Sequence, residues 1–331
     1  MKVRFAASPT GSLHIGDALG AVVNRNFGST FLLRIDDTDP ARNVEGGEQA
    51  VLEDLRWLGL GWDEGPVRQS DRGDRYREAA AGLPERFQGV RLRQPDGSAT
   101  YQLASVVDDI DFGITHVIRA SDHRPNEPLH RALTEALGAT PPEYIHFGLI
   151  LGPDGKKLSK RSEGASVGSL REAGIPPEAV RRYLEELGAP RHDVHLDLAR
   201  IRSLAVEVLA GVTDDDLAGR LGVPVAVVPA VRGAHDLREA RELAASILAP
   251  PSVSLPRERE TLERFRELHA GANGALDKEA AKAIVRELKA VGGNLRAVRR
   301  GLTGRESGPE LWLVLAALPR EETLRRIDAA L

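Results

Sequence analysis

The stretch "VRFAASPTGSLHIGDALGAVVNRN", residues 3–26, decides how the rest of the chain is read. Residues 3–8 read as a strand, and the segment from Asp17 to Asn26 reads as a helix. Between them Pro9, Gly11 and Gly16 surround His14 in a turn. A strand that turns directly into a helix presents free backbone N–H groups at the positive end of the helix dipole, which suits a phosphate. His14 adds a side-chain donor there without blocking the approach. Taken alone, one histidine in a glycine-containing turn is explained as well by structure as by function.

Working outward, the α/β pattern continues to about residue 190. "FLLRID" (31–36) reads as a second buried strand, and "GGEQAVLEDLRWLGL" (46–60) puts Val51, Leu55 and Leu58 on one helical face. "THVIRA" (115–120) and "HFGLIL" (146–151) are further strand candidates, while "PPEAVRRYLEELG" (176–188) opens with proline and closes with glycine as a helix does. Strand signals fade from about residue 195, and Ala, Leu, Arg and Glu dominate to Leu331. The expected fold is a Rossmann-like α/β domain with a parallel sheet over 1–190, followed by an all-α domain over 191–331, the boundary falling near "GAPRHD" (188–193).

The 331 residues suffice for two cored domains, and 41% hydrophobic with 28% charged residues is ordinary for a soluble protein. No apolar run reaches the length of a membrane span and no leader pattern opens the chain, so a cytoplasmic protein without membrane contact is expected. The absence of cysteine excludes disulfides and thiolate zinc sites. A formal net charge of −4 means that any nucleic-acid contact must come from a local basic face.

One such cluster is "GPDGKKLSKRSEG" (152–164), three lysines and an arginine in a Gly-rich turn. By itself it would be a solvated loop. Beside the His14 turn it means more: "HIGD" and "KLSKR" resemble the HIGH and KMSKS signatures of class I aminoacyl-tRNA synthetases. The likeness is greatest to glutamyl-tRNA synthetases, because "RFAASPTGSLHIG", "LLRIDDTDPARN", "LRWLGLGWDEGP", "TYQLASVVDDIDFGITHVIRA" and "KLSKR" follow in that family's order. It covers most of residues 1–187 and, more loosely, "LRAVRRGLTGRESGPELWLVLAAL" near the end.

The resemblance implies ligation of glutamate to tRNA by way of a glutamyl-adenylate, with ATP as co-substrate and Mg²⁺ riding on its phosphates rather than on a protein zinc or other metal site. It implies that His14, Lys157 and Lys160 act on the triphosphate, and that Gly16, Asp122, Ile150 and Ser159 complete the ATP site. Arg4 and Arg119 match the arginines that hold the glutamate side-chain carboxylate, with Ala6, Ser8 and Tyr101 around them. Asp36, where the family usually has Glu, would face the substrate ammonium, and Ser105 stands where Asn is usual. An arginine fork on a carboxylate is charge-assisted and prefers glutamate to glutamine. Asp37 and Asp39 read as turn caps, "VVDD" (106–109) as structural carboxylates, His146 as a satisfied strand histidine, and Trp57 and Trp62 as packing.

Between "YREAAAGLPERF" and "VRLRQPDGSATY" the family inserts an acceptor-stem subdomain, here reduced to about residues 84–96. Arg86, Arg91 and Arg93 are the cations left at that link. In the helical part Arg296, Arg299 and Arg300 lie in a basic run expected to meet tRNA phosphate. A monomer is expected. Two alternatives stay open: glutamylation of a modified tRNA base, as in the similar glutamyl-queuosine tRNA synthetases, and a catalytically inactive tRNA-binding paralogue.

Overall fold

The computed structural model describes residues 1–158, 163–271 and 276–331. The chain forms two compact units: Met1–Glu172 with Pro177–Ile201, and Ala173–Pro176 with Arg202–Leu331. The division falls beyond residue 190 because the 190s are pinned to the first unit. Pro190 O accepts Gly148 N–H at 2.7 Å, and Asp193 Oδ1 accepts Leu149 N–H at 2.8 Å.

In the first unit β1 (Lys2–Ala7), β2 (Thr30–Ile35) and β3 (Glu64–Arg68) form a parallel sheet in the order β1-β2-β3, with Val3 opposite Phe31 and Ala6 opposite Arg34. Their connections are helices α1 (Ile15–Phe27) and α2 (Gly47–Trp57). Val51, Leu55 and Leu58 are buried, as the helical periodicity requires. After α3 (Gly73–Ala81) comes a hairpin of β4 (Arg86–Phe87) and β5 (Val90–Arg91), and this hairpin occupies the short link. Helix α4 (Tyr101–Asp111) leads to β6 (His116–Ala120), a 3₁₀ turn over Ser121–Asn126, α5 (Glu127–Ala136) and β7 (Glu143–Phe147), which pairs parallel with β6.

Thr115 N–H donates to Lys2 O at 3.0 Å, setting β6 beside β1. The strand succession therefore runs β3-β2-β1 in one direction and β6-β7 in the other. Such a reversal leaves a crevice at the carboxyl ends of the two inner strands, the usual ligand site of open α/β sheets. Asn24, near the carboxyl end of α1, is buried, its Nδ2 donating to Gly20 O at 2.8 Å and Ile118 O at 3.0 Å, so the helix supplies a bond to β6.

"HFGLIL" is not one strand. It breaks at Gly148 into the end of β7 and a separate β8 (Ile150–Leu151), which pairs parallel with β9 (Val194–His195). The cause is close approach: a Cβ on Gly148 would stand 2.1 Å from His192 O, so the chain leaves the sheet where only glycine fits. Helices α6 (Val167–Glu172) and α7 (Pro177–Leu187) complete this part.

The second unit is helical from α8 (Leu198–Gly211, which begins in the first unit) to α16 (Arg320–Ala330), with no strand among the described residues. Val228, Ile247, Leu262, Phe265, Leu302 and Val314 are among its buried core. Buried Arg326 donates to Ile247 O at 2.6 Å and Leu302 O at 2.8 Å, satisfying carbonyls near two helix ends while Glu322 holds its charge.

Candidate functional site

His14 caps the amino end of α1. Its Nδ1 accepts Gly16 N–H at 3.4 Å, while Nε2 is buried without a hydrogen-bond partner among the described residues. The turn is clamped from two sides. Fully buried Asp54 of α2 accepts Ser12 Oγ at 2.6 Å and Leu13 N–H at 2.8 Å, and its other oxygen pairs with Arg171 at 3.1 Å. From the far side of the lysine loop, Ile15 N–H donates to Ala165 O and Val167 N–H to Leu13 O, both at 2.9 Å. Ser12 Oγ also accepts Gly168 N–H at 2.8 Å. The two signature segments, some 150 residues apart in sequence, thus share one hydrogen-bonded stem.

The near side of the lysine loop is also fixed, with Gly152 N–H donating to Lys156 O at 2.8 Å and Lys157 bridging Leu151. Lys157, expected over the phosphates, has its ammonium 2.7 Å from Asp122 Oδ2. An exposed lysine takes the nearest carboxylate, and this one stands in the turn that follows β6. Burial opposes ionisation of Asp122, yet the Lys157 bond and the charges of His123 and Lys157 hold its carboxyl below the usual range. Ile150 is buried in β8. Ser159 and Lys160 lie outside the described residues.

Under the crevice lies a buried ionic network. Arg4 Nε donates to Asp109 Oδ1 at 3.1 Å. Arg34 of β2 is fully buried and touches three carboxylates: Asp36 at 2.6 Å, Asp109 at 3.1 Å and Asp108 at 3.7 Å. Asp108 further accepts Gln69 Nε2 at 2.8 Å, Arg72 Nε at 2.8 Å and Tyr76 Oη at 2.9 Å. Asp36, expected to face an ammonium, has both oxygens on Arg34, and Ser105 is wholly buried with its hydroxyl 3.4 Å from Arg34 Nη2. The shorter side chains of Asp and Ser at these positions fold back onto the buried guanidinium.

Arg119 differs from its neighbours. It is buried, yet Nη1 and Nη2 have no hydrogen-bond partner among the described residues, and only Nε is used, toward His146 Nε2 at 3.3 Å. Burial, with Arg4 adding to it, pulls its guanidinium below the ordinary value despite the nearby Tyr101 and Tyr144. Tyr101, at the start of α4, lies tilted against His123 and His130, ring centroids 6.2 and 6.0 Å apart. Ala6 ends this side of β1 and Ser8 is exposed just beyond it. Arg4, Arg119, Tyr101 and His14 thus gather at the carboxyl ends of β1 and β6.

Asp37 accepts both Ser70 N–H and Ser70 Oγ, and Asp39 accepts Ala41 N–H, so both serve turns. Trp62 Nε1 donates to Gly65 O and Arg171 lies over Trp57, which makes both indoles packing groups. At the hairpin Arg93 turns inward, donating to Ala80 O at 3.0 Å and Leu83 O at 3.3 Å as a cap for α3. Arg86 and Arg91 stay exposed. In the second unit Arg296 is exposed on α14 (Leu295–Thr303), whereas Arg299 reaches Glu306 O and Arg300 pairs with the Glu306 carboxylate at 3.1 Å.

The family profile "tRNA synthetases class I (E and Q), catalytic domain" matches residues 1–86 and 84–204. Among curated proteins the chain is 34% identical to Glutamate--tRNA ligase 1 of Rubrobacter xylanophilus, over 100% of this chain and 97% of the relative. It is 31% identical to Glutamate--tRNA ligase 2 of Rhodospirillum centenum, over 99% and 98%. The first alignment spans 430 positions against 331 residues here, so that relative has segments with no counterpart in this chain. A crystal structure of a glutamate tRNA ligase from Elizabethkingia meningosepticum, in complex with its amino acid, superposes with a TM-score of 0.78 at 21% identity. The match covers 100% of this chain and 99% of that one and establishes the common fold.

Proposed function

The chain belongs to the class I tRNA synthetases of the E and Q group, and from that premise we propose that it ligates glutamate to tRNA with ATP. The observation that carries the amino-acid choice is Arg119, a buried guanidinium with two unused donors beside Arg4. A site short of negative charge at that depth selects a carboxylate side chain over a neutral amide. Arg4 and Arg119 bind that carboxylate, with Tyr101, Ala6 and Ser8 lining the pocket and Asp36 and Ser105 acting through Arg34. His14 and the N–H groups of the α1 amino end, Gly16 included, receive phosphate. Asp122 and Ile150 flank the nucleoside, and Lys157, Ser159 and Lys160 close on the phosphates once Lys157 leaves Asp122. Mg²⁺ travels on the nucleotide and keeps most of its waters.

The chemistry asks for placement and charge stabilisation. The glutamate α-carboxylate attacks the α-phosphorus, pyrophosphate leaves, and the tRNA terminal hydroxyl then displaces AMP from the adenylate. Full-length similarity to ligases favours this reading over base glutamylation or a silent paralogue. The first unit, to Ile201, forms the catalytic part and the helical unit from Arg202 the anticodon-binding part, where Arg296, Arg299 and Arg300 meet phosphate. The protein works as a monomer in the cytoplasm, where its tRNA is. No described helix is long and apolar enough to cross a membrane.

Arg119→Ala tests the assignment. Glutamate-dependent ATP–pyrophosphate exchange with tRNA present should lose about 2–3 kcal/mol in kcat/KM for glutamate, with KM for ATP little moved, because one charge-assisted contact is lost. Unchanged glutamate kinetics would sink the reading. A second variant, Arg86→Ala/Arg91→Ala, tests the hairpin as a substitute grip on the acceptor end. Transfer to tRNA should fall while activation persists, and the log–log salt slope of tRNA binding should drop by roughly 0.7–0.9 per lost phosphate contact. Arg93 is left in place because it caps α3. If transfer and slope stay at wild-type values, the acceptor end is held elsewhere.

A further inference from the structure

Behind Arg119 stands a buried histidine that carboxylate binding does not by itself require. Arg119 Nε donates to His146 Nε2 at 3.3 Å, and His146 Nδ1 lies 3.5 Å from Glu127 Oε2. A guanidinium N–H can only donate, so Nε2 must carry the lone pair and the ring proton sits on Nδ1, facing the carboxylate. Glu127 is itself fixed, its other oxygen accepting Arg131 Nε at 2.8 Å. Tyr144 stacks flat on the His146 ring at 6.4 Å and 9°, with the Arg119 and Arg131 guanidiniums 5.3 and 4.8 Å from its centroid. Three elements, β6, α5 and β7, thus converge on one imidazole.

We infer that the Glu127–His146 pair is a positioning device for Arg119, fixing its guanidinium so that both Nη groups remain available to the substrate carboxylate, and that protonation of His146 releases it. This rests on the reading of Arg119 as a glutamate-binding residue. A proton on Nε2 would set one N–H against another and add a cation beside Arg119 and, from the 3₁₀ turn, Arg124 and His123, opposed by the Glu127 carboxylate. Burial first, then Arg119, holds the imidazole below its ordinary value of 6.5, so the neutral form that accepts from Arg119 prevails at neutral pH.

The test compares wild type, His146→Gln, His146→Ala and Arg119→Ala by pyrophosphate exchange with tRNA present, measuring KM for glutamate and for ATP across the acid range. His146→Ala should raise KM for glutamate about ten-fold or more and leave KM for ATP within a few-fold, which also shows that the variant is folded. His146→Gln offers a carbonyl to Arg119 and an amide N–H to Glu127. It should restore KM for glutamate at neutral pH and abolish the rise that wild type shows as pH falls through the imidazole range. An alanine variant with unchanged KM for glutamate, while Arg119→Ala raises it, overturns the positioning role. An acid limb that survives in His146→Gln overturns the protonation step. If Arg119→Ala itself leaves KM for glutamate alone, the reading of Arg119 fails and the inference fails with it.

Discussion

Arg34→Met is expected to lower the melting temperature by roughly 10 °C and to abolish activation, although Arg34 lies beneath the crevice. The side chain is about 1% exposed and answers Asp36, Asp109 and, at longer range, Asp108. Burial alone would disfavour the guanidinium charge, but these carboxylates outweigh it and hold the charge firmly. Removing one partner from a buried ionic network leaves charges with no compensation, and such losses run to about 3–5 kcal/mol. For a domain near 200 residues each kcal/mol moves the midpoint by about 2–4 °C. Function should fail together with stability, because Asp109 also holds Arg4 at 3.1 Å. With Asp109 losing Arg34 and Arg4 re-aimed, the arginine pair proposed to bind the glutamate carboxylate is disturbed.

The effect should depend on pH in a definite sense. In the variant Asp108 loses Arg34, the charge that most opposes its desolvation, so burial, which already holds its carboxyl above the ordinary value in the intact protein, raises it further. A carboxyl raised in the folded state favours folding below its unfolded pKa and loses that favour as pH climbs through the folded one. The stability gap between wild type and Arg34→Met should therefore narrow as pH falls from 7 toward the carboxylate range. A gap that is constant or widening on acidification would mean that Arg34 acts through packing volume rather than charge.

Arg34 also shows why some of the site was illegible in the sequence. In "FLLRID" the strand was evident because period and composition are local, and the structure places it at Thr30–Ile35. Two of the three carboxylate partners of Arg34, Asp108 and Asp109, sit on α4, more than seventy residues on, and nothing local distinguishes an arginine that snorkels from one buried among carboxylates. Asp54 was hidden likewise: on its helix it is simply an acid between Glu53 and Leu55, and its role appears only when the fold brings Ser12, Leu13 and Arg171 to it. His14 and Lys157 stand out only because "HIGD" and "KLSKR" resemble the two signatures of a known family; taken alone, each reads as an ordinary turn or solvated loop. The break in "HFGLIL" was not legible, since it depends on His192 approaching Gly148 from a distant segment. Short-range patterns reveal which elements form. Buried polar pairs become visible only after long-range closure.

Lys160→Ala is expected to slow glutamyl-adenylate formation by about 10²–10³ while leaving KM for glutamate nearly unchanged. Lys160 itself lies outside the described residues, but both ends of its loop are fixed. On one side Lys157 bridges Leu151, and on the other Ala165 and Val167 hydrogen-bond across to Ile15 and Leu13 of the His14 turn. These described flanks tether the loop beside the His14 turn, where phosphate is proposed to bind. An ammonium on such a tether contributes most when charge accumulates on the departing pyrophosphate, and least to ground-state binding of an amino acid held elsewhere by arginines. Lys157→Ala should behave differently. Lys157 pairs with Asp122 at 2.7 Å, so its removal also frees that carboxylate, and KM for ATP should shift together with the rate. Single-turnover adenylate formation with saturating tRNA separates the two variants. A Lys160→Ala enzyme that forms adenylate at the wild-type single-turnover rate would show that the loop covers the nucleotide without acting on the transition state.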